Sequence, residues 1–336
     1  MEAKPISERC RLLLLEVGYL SENERIHVQP LTGGIASDIA LVTTEQRQVC
    51  VKFALPKLKV DADWFAPVHR NAAEYAWLKF ANSVAPESAV QLIGRSEQLH
   101  GFAMDYLDGD SYLWKTALLD GFNRGAEATK TGELLGRIHS ASASTAFDDK
   151  PFQNKQDFHA LRIEPYLIHT ASKHSDVEHL ITEVAEQTHA RQDVLIHGDV
   201  SPKNIIFKSG KPHILDAECA TMGDAAFDPA FCINHLVLKA IHLPNFREPY
   251  LQQAQLLWRA YRSFITWEPV DSIEQRICVL LPMLMLARVD GKSPVEYLSS
   301  SAAVQTRQLT MSLIQSSQHK LDKLLALVGR QLQEIQ

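Results

Sequence analysis

Three polar side chains that can handle a proton or a metal ion stand at fixed spacings between apolar runs. Asp199 and Asn204 are five residues apart, and Asp216 follows Asn204 by twelve residues at the end of a second apolar run. A strand-loop-strand-loop arrangement would bring all three side chains to one place. Phosphoryl transfer uses such a set, with a carboxylate to orient the attacking hydroxyl and an Asn and an Asp to hold Mg²⁺ on the phosphates. The alternative is a buried strand pair joined by a polar turn.

This spacing, with the His-Gly-Asp triplet that ends at Asp199, resembles the catalytic and metal-binding loops of the aminoglycoside phosphotransferase and choline kinase superfamily. The resemblance implies ATP and Mg²⁺ as cofactors. It also implies that Asp199 is the catalytic base, or the carboxylate that orients the acceptor, and that Asn204 and Asp216 are metal ligands. Glu218, two residues after Asp216, is implied as a further acid that supports the metal.

Upstream residues supply candidates for the nucleotide site. Gly33 and Gly34, followed by Ser37, lie between two apolar runs and predict a turn whose backbone can approach phosphate oxygens. Lys52 is a lone cation in an apolar strand, where a buried Lys needs a partner, and Glu74 on the next helical stretch can provide it. By resemblance, the Lys52–Glu74 pair positions the nucleotide phosphates. An ordinary hairpin and a structural salt bridge are the alternatives.

The apolar strand that contains Met104 and runs into a turn is similar to a kinase hinge. The resemblance implies that the Asp105 carbonyl and the Leu107 amide contact the adenine, and that Met104 lines the back of the pocket. Downstream, Asp228 is followed by Pro229, a pattern typical of a helix N-cap. By resemblance, Asp228 ties down the backbone of the catalytic loop, so we predict a structural role for it.

The implied architecture is α+β, namely a bilobal protein-kinase-like fold. We expect a small β-rich N-lobe over residues 1–103, a hinge at 104–110 and a mostly helical C-lobe over 111–336. An amphipathic lead-in helix is predicted over residues 1 to about 24. Apolar residues at seven-residue steps from Ile314 to Ile335 predict an amphipathic helix of about three heptads. That helix either packs on the large lobe, which we favour, or forms a dimer seam.

Composition excludes several classes of protein. The 336 residues are 46% hydrophobic and 22% charged, which is ordinary for a globular protein, and the net charge of -6 comes without a basic run. Nucleic-acid binding and anionic-membrane binding therefore have no electrostatic support. Five scattered cysteines indicate a reducing compartment, and the longest apolar stretch is too short to span a bilayer. We expect a cytoplasmic protein, monomer or homodimer.

The predicted function is ATP-dependent phosphorylation of a hydroxyl on a small molecule, such as an aminoglycoside-like compound, a sugar or an amino alcohol. A methylthioribose-type sugar kinase is one alternative, since residues 53–60 and 216–218 also resemble those enzymes. A catalytically inactive nucleotide-binding module is another, although the Lys, Asp, Asn, Asp set is intact. A protein kinase is disfavoured because no Asp-Phe-Gly or Ala-Pro-Glu motif follows the catalytic loop.

The sequence offers fewer candidates for the acceptor site than for the nucleotide and metal sites. Arg288 and Asp290 follow a long apolar helical stretch and precede Gly291. Basic residues and a glycine are typical of a helix C-terminus. Asp290, however, is unfavourable at the negative end of a helix unless a cation meets it. That cation is either a substrate group or a side chain such as Arg288, so acceptor binding and a structural cap remain the two interpretations.

Overall fold

A five-stranded antiparallel sheet precedes a larger, mostly helical part, which is the α+β architecture that the sequence predicts. The computed structural model describes residues 4–32, 37–45, 47–57, 59, 67–122, 125–316 and 318–334. The spatial order of the sheet is β1-β2-β3-β5-β4. Its strands are β1 (His27–Leu31), β2 (Ser37–Thr43), β3 (Gln48–Ala54), β4 (Leu92–Ser96) and β5 (Gly101–Asp105).

Two helices accompany the sheet, and the remaining elements form the large lobe. The helices beside the sheet are α1 (Ile6–Glu16) and α2 (Arg70–Val84). The short strands of the large lobe are β6 (Ser111–Leu113), β7 (Val194–Ile196), β8 (Ile205–Lys208), β9 (Lys211–Ile214) and β10 (Thr221–Gly223). Its helices are α3 (Trp114–Leu119), α4 (Glu127–Ser142), α5 (Lys155–Phe158), a π-helix (His159–Ile168), α6 (His169–Ala171), α7 (Glu178–Ala190), α8 (Phe227–His242), α9 (Arg247–Arg262), α10 (Val270–Asp290), α11 (Ser300–Ile314) and α12 (Leu321–Glu334).

The central strand β3 is covered on both faces. Val49, Val51 and Phe53 belong to the hydrophobic cluster under α1, whereas Cys50 belongs to the main core on the other side. Successive strand residues point to opposite faces, so Lys52 shares the face of Cys50 and meets α2 through Glu74. The alternation of the strand therefore buries this single cation beneath α2.

Short strand pairs of the large lobe hold the two loops that carry the predicted chemistry. Strand β7 pairs with β10, and β8 pairs with both β6 and β9. The first loop leaves β7, and the second leaves β9. The Leu215 amide donates to the Asn204 carbonyl at 2.9 Å, so the end of the first loop lies beside the start of the second.

Both predicted terminal helices differ from expectation. The first covers only Ile6–Glu16, because Gly18 follows with a φ of 70° and ends it. The C-terminal heptad pattern is divided between two helices, since α11 ends at Ile314 and α12 begins at Leu321. The prediction of one continuous helix was therefore wrong, and Ile335 lies outside the described residues.

Helix α12 packs within its own chain. Its apolar face is buried, and the helix contacts α9 and α10, in agreement with the packing alternative that the sequence favours. The apolar stretch 277–287 lies within α10, which contains Pro282 and is largely buried. Among the described residues, no helix combines the length and apolar character needed to cross a membrane.

Helix α1 offers a direct stability test. Leu14 is fully buried beneath the sheet, whereas Leu12 on the same helix is 37% exposed. We expect Leu14→Ala to lower the free energy of unfolding by about 2–5 kcal/mol, because it leaves a cavity, and Leu12→Ala to change it by about 0.5 kcal/mol or less. Urea unfolding measures both, and equal effects would contradict the packing of α1 on the sheet.

Candidate active site

The loop after β7 is anchored through its backbone. The amides of His197 and Gly198 donate to the two carboxylate oxygens of Asp228 at 2.7 and 2.9 Å. His139 Nε2 lies 3.3 Å from the same carboxylate. Asp228 is the second residue of α8 and follows the observed N-cap, Ala226, so the predicted N-cap position was wrong. The fully buried carboxylate binds the backbone of the loop, as the sequence analysis predicted.

Asp199 is held by three donors on one of its carboxylate oxygens. Oδ2 lies 2.9 Å from an Arg162 guanidinium nitrogen, 3.2 Å from Lys203 Nζ and 2.9 Å from Asn204 Nδ2. The other oxygen, Oδ1, is buried without a hydrogen-bond partner among the described residues. Burial would raise the pKa of Asp199, but the charges of Arg162 and Lys203 outweigh it and hold the pKa below its usual value. The group is a carboxylate with one oxygen available.

Asn204 connects Asp199 to the second loop. Its amide nitrogen donates to both the carbonyl and the carboxylate of Asp199, at 3.0 and 2.9 Å, which leaves the amide oxygen for another partner. Asp216 directly follows Leu215, whose amide donates to the Asn204 carbonyl. Its φ of 70° lies in the left-handed region, which is uncommon for a residue other than glycine.

Lys52 lies at the centre of a buried charge cluster. Its ammonium binds Glu74 Oε1 at 2.8 Å and Glu218 Oε1 at 3.0 Å, and it also hydrogen bonds Asp216 Oδ1. Burial would lower the pKa of Lys52, but the three carboxylates outweigh it and raise that pKa well above its usual value. The predicted Lys52–Glu74 pair is therefore present, together with two acids from the second loop.

Glu218 is fixed by partners from the N-lobe. Its Oε2 accepts a 2.7 Å hydrogen bond from Arg70 Nε, and its Oε1 accepts one from the Ser37 hydroxyl. Arg70 is fully buried and also donates to the carbonyls of Pro67 and Leu55. Ser37 thus contacts an acidic residue of the site, while Gly33 and Gly34 lie outside the described residues.

Three carboxylates of this cluster are close enough to share a cation. One oxygen each from Glu74, Asp216 and Glu218 lies within 4.8 Å of the others. Carboxylate and amide oxygens are the ligands that Mg²⁺ prefers, so the donor chemistry suits that ion. Burial, followed by the charges of its acidic neighbours, raises the pKa of Glu74 to about 8 despite Lys52. The three acids therefore concentrate negative charge around Lys52.

The predicted hinge residues follow the end of β5. Met104 is 7% exposed and pairs in register with Cys50 and Leu92. The Asp105 amide donates to the Gln91 carbonyl at 2.9 Å. The Asp105 carbonyl is the group predicted to contact adenine. Leu107 is partly buried, and its carbonyl accepts from the Ser111 hydroxyl at 3.1 Å.

Asp290 already has polar partners within the chain. Its carboxylate forms two hydrogen bonds with Arg307, at 2.7 and 2.8 Å, and lies 2.9 Å from His174 Nε2. Arg288, which the sequence offered as its partner, instead donates to the Tyr166 hydroxyl at 3.0 Å and to Ser293. These contacts favour the structural interpretation of Asp290 and leave Arg288 turned toward a different set of residues.

Sequence analysis did not identify two arginines of the site. Arg70 precedes Glu74 by one helical turn on α2, so the i,i+4 spacing could have indicated it. Arg162 lies in the π-helix, and no local pattern connects it with Asp199. Lys203 stands four residues after Asp199, and the structure places the two side chains 3.2 Å apart.

A comparison of the chain with protein families agrees with this geometry. The profile of the phosphotransferase enzyme family matches residues 27–264, a range that contains both loops, the Lys52 cluster and Asp228. The chain belongs to the phosphotransferase enzyme family. The family resemblance predicted from the sequence is thereby confirmed.

Curated relatives of this phosphotransferase are similar at low identity. A methylthioribose kinase of Pectobacterium atrosepticum is 22% identical over 284 residues, covering 69% of this chain and 71% of the relative. One from Geobacillus thermodenitrificans is 25% identical over 274 residues, covering 70% and 66%. Another, from Pectobacterium carotovorum, has 62% of its length covered at 23% identity. The matches therefore span roughly two thirds of these relatives.

Solved structures show the same fold. An amicoumacin kinase in complex with AMP-PNP, Ca²⁺ and its ligand has a TM-score of 0.56 at 13% identity, covering 95% of this chain and 98% of that one. A choline/ethanolamine kinase family protein from Mesorhizobium loti has a TM-score of 0.54 at 14% identity, with 96% and 98% covered. The protein-kinase-like fold implied by the sequence is confirmed.

Gly198 and Gly210 provide a matched test of the loop geometry in this phosphotransferase. Both have left-handed backbones, with φ of 78° and 70°. A Cβ on Gly198 would lie 2.9 Å from the Cys219 carbonyl and 2.8 Å from Cys219 Cβ, whereas one on Gly210 would meet only the end of the Lys130 side chain.

Either Gly→Ala change costs about 1–2 kcal/mol for the backbone conformation. We expect Gly198→Ala to lower the melting temperature clearly more than Gly210→Ala, because the Cys219 backbone must also shift. Thermal unfolding followed by circular dichroism measures both variants. Equal losses would show that the loop after β7 has room to move.

Proposed function

We propose that the protein transfers the γ-phosphoryl group of ATP to a hydroxyl of a small molecule. The observation that carries this proposal is the convergence of two loops and one strand. Asp199 with its available oxygen, Asn204 beside it, and Asp216 bound to Lys52 form one connected set. Phosphoryl transfer depends on positioning and electrostatics, and this set offers groups for both.

Asp199 is suited to orient the acceptor. Its Oδ1 can accept a hydrogen bond from the attacking hydroxyl, while Arg162, Lys203 and Asn204 fix Oδ2. Its lowered pKa makes it a weak base, so it chiefly aims the hydroxyl oxygen and takes the proton late. A bond forms between that oxygen and phosphorus, the bond to the ADP leaving group breaks, and the hydroxyl proton passes to Asp199 Oδ1.

Lys52 and the acids around it are suited to the nucleotide. Lys52, fixed by Glu74, can meet the α and β phosphates when they enter. Asp216 and the amide oxygen of Asn204 would hold Mg²⁺, with Glu218 beside them. When bound, this ion neutralises phosphate charge. Support for ATP also comes from structural relatives of the fold, one of which was solved with AMP-PNP and another with ADP.

A second candidate is a methylthioribose-type sugar kinase. It is favoured by the curated relatives, all named methylthioribose kinase, at 22–25% identity. Such identity leaves the acceptor open. Incubating the purified protein with Mg-ATP and methylthioribose, and looking for the phosphorylated sugar by mass spectrometry, separates this candidate from the wider proposal. An inactive nucleotide-binding module would give no phosphorylated product with any acceptor.

The role of Asp199 can be tested with Asp199→Asn. We expect phosphoryl transfer to fall by about 10²–10⁴, because the carboxylate acts in the transition state, while the Kd for Mg-ATP changes less than about threefold. Asp176→Asn, at an exposed acid, is the control and should keep full activity. Retained activity in Asp199→Asn would rule out its assigned role, and a melting curve checks that the variant is folded.

The metal assignment can be tested with Asp216→Asn. Asn tolerates the left-handed backbone but removes one charge from the predicted Mg²⁺ site. We expect the Kd for Mg-ATP to rise at least about tenfold, with little change in the Kd for ATP measured in EDTA. Isothermal titration calorimetry under both conditions measures this. If the two affinities change equally, Asp216 does not act through a metal.

A further inference from the structure

One face of α8 carries two buried basic groups that the proposed mechanism does not use. Phe231, His235 and Lys239 are spaced four residues apart, so they share that face. His235 is 5% exposed and Lys239 is 1% exposed. Within the described part of the chain, neither has a hydrogen bond or an ion pair. The His235 ring lies 5.4 Å from the Phe231 ring, and Lys239 Nζ lies 4.9 Å from the centre of the Tyr297 ring.

Their charged surroundings are mostly cationic. Burial, then the charge of Lys115, lowers the pKa of Lys239 to about 7. Burial, then the charges of Arg288 and Lys239, lowers the pKa of His235 well below its usual value. The neighbouring carboxylate, Glu296, is already bound to Lys115.

Arg288 adds a cation without a carboxylate partner. It is 7% exposed and donates to the Tyr166 hydroxyl and to Ser293, which are uncharged groups. Its Nε is buried with no partner among the described residues, and so is the Tyr297 hydroxyl. Several donors are therefore buried with unused hydrogen-bonding capacity.

This basic cluster, defined as His235, Lys239 and Arg288, is continuous with the catalytic loop. The Arg162 guanidinium binds Asp199 and lies 5.8 Å from the centre of the Tyr166 ring. The Arg288 guanidinium lies 5.6 Å from the centre of the same ring. Lys203, the other partner of Asp199, is among the charges that act on His235. The cluster is therefore linked to Asp199 through Arg162, Tyr166 and Lys203.

Buried cations without counter-charges are unfavourable unless something negative meets them. We infer that the acceptor carries an anionic group, a carboxylate or a phosphate, which the basic cluster binds while Asp199 orients the acceptor hydroxyl. This inference rests on the phosphotransferase function proposed above. An acceptor recognised through a positive charge would need a free acid to bind its amine. Among the described residues, the cluster offers none.

The acceptor class can be tested with linear polyols of matched length. The four compounds differ only in the group at one end. Sorbitol is neutral there, glucamine carries an ammonium, gluconate a carboxylate and sorbitol 6-phosphate a phosphate. Together with shorter members of each series, they are assayed with Mg-ATP for product. We expect kcat/KM at least tenfold higher for one of the anionic series, and the better series identifies the anion. Faster turnover of the neutral or cationic series, or of methylthioribose, would overturn the inference and leave the proposed function standing.

Lys239→Met tests the cluster itself, since Met fills a similar buried volume without charge. We expect the KM for the anionic acceptor to rise at least tenfold, with the KM for ATP unchanged. Lys79→Met, at an exposed lysine of α2, is the control and should match wild type. His235→Gln is a second variant should Lys239→Met fail to fold. An unchanged acceptor KM in the folded variants would overturn the inference.

Anion binding can also be measured without catalysis. Melting temperatures are compared in sodium sulfate and in sodium chloride at equal ionic strength. We expect a sulfate-specific rise in wild type and Lys79→Met that is lost in Lys239→Met and His235→Gln. The same rise in all four proteins would overturn the inference. If the rise depends on the cluster but no acceptor is phosphorylated and Mg-ATP does not bind, the proposed function fails while the anion site stands.

Discussion

The burial of the Lys52 ammonium is the constraint on which the site depends. A buried cation requires counter-charges, and this one takes them from α2 and from the loop after β9. Glu74 therefore fixes α2 on the sheet, while Asp216 and Glu218 join the N-lobe to the large lobe. Removing Lys52 would leave its carboxylate partners uncompensated, and breaking a buried pair in this way typically costs about 3–5 kcal/mol. The contacts proposed to position nucleotide groups thus also help to hold the two lobes together.

The charge balance of this cluster explains its capacity for a divalent ion. Three carboxylates, Glu74, Asp216 and Glu218, face two cations, Lys52 and Arg70, which leaves one formal negative charge when all are ionised. Burial first, and then the charges of Glu218 and Asp216, raise the pKa of Glu74 to about 8. The basic cluster of His235, Lys239 and Arg288 has the opposite composition and lacks a free acid among the described residues. The acidic cluster thus suits the metal-bound nucleotide proposed above, and the basic cluster suits the proposed anion.

The sequence predicted those parts that local patterns encode. The apolar residues around Lys52 predicted its burial, and the helical stretch that follows offered Glu74 as its partner. The spacing of Asp199, Asn204 and Asp216 indicated the two loops. Contacts between distant segments were not predictable from local patterns, because nothing in the π-helix indicates that Arg162 meets Asp199. The Asp290 partners show the same limit, since Arg307 comes from the next helix.

The left-handed backbone of Asp216 has a consequence for stability. A φ of 70° is easiest for glycine, so an Asp at this position keeps its chain in a less favourable conformation. Asp216→Gly would relieve that conformation but would also remove an acid that binds Lys52. The unfavourable backbone of Asp216 is therefore kept together with an ion pair between the two lobes. The metal-binding role proposed for Asp216 gives a second reason for an aspartate to stand in this conformation.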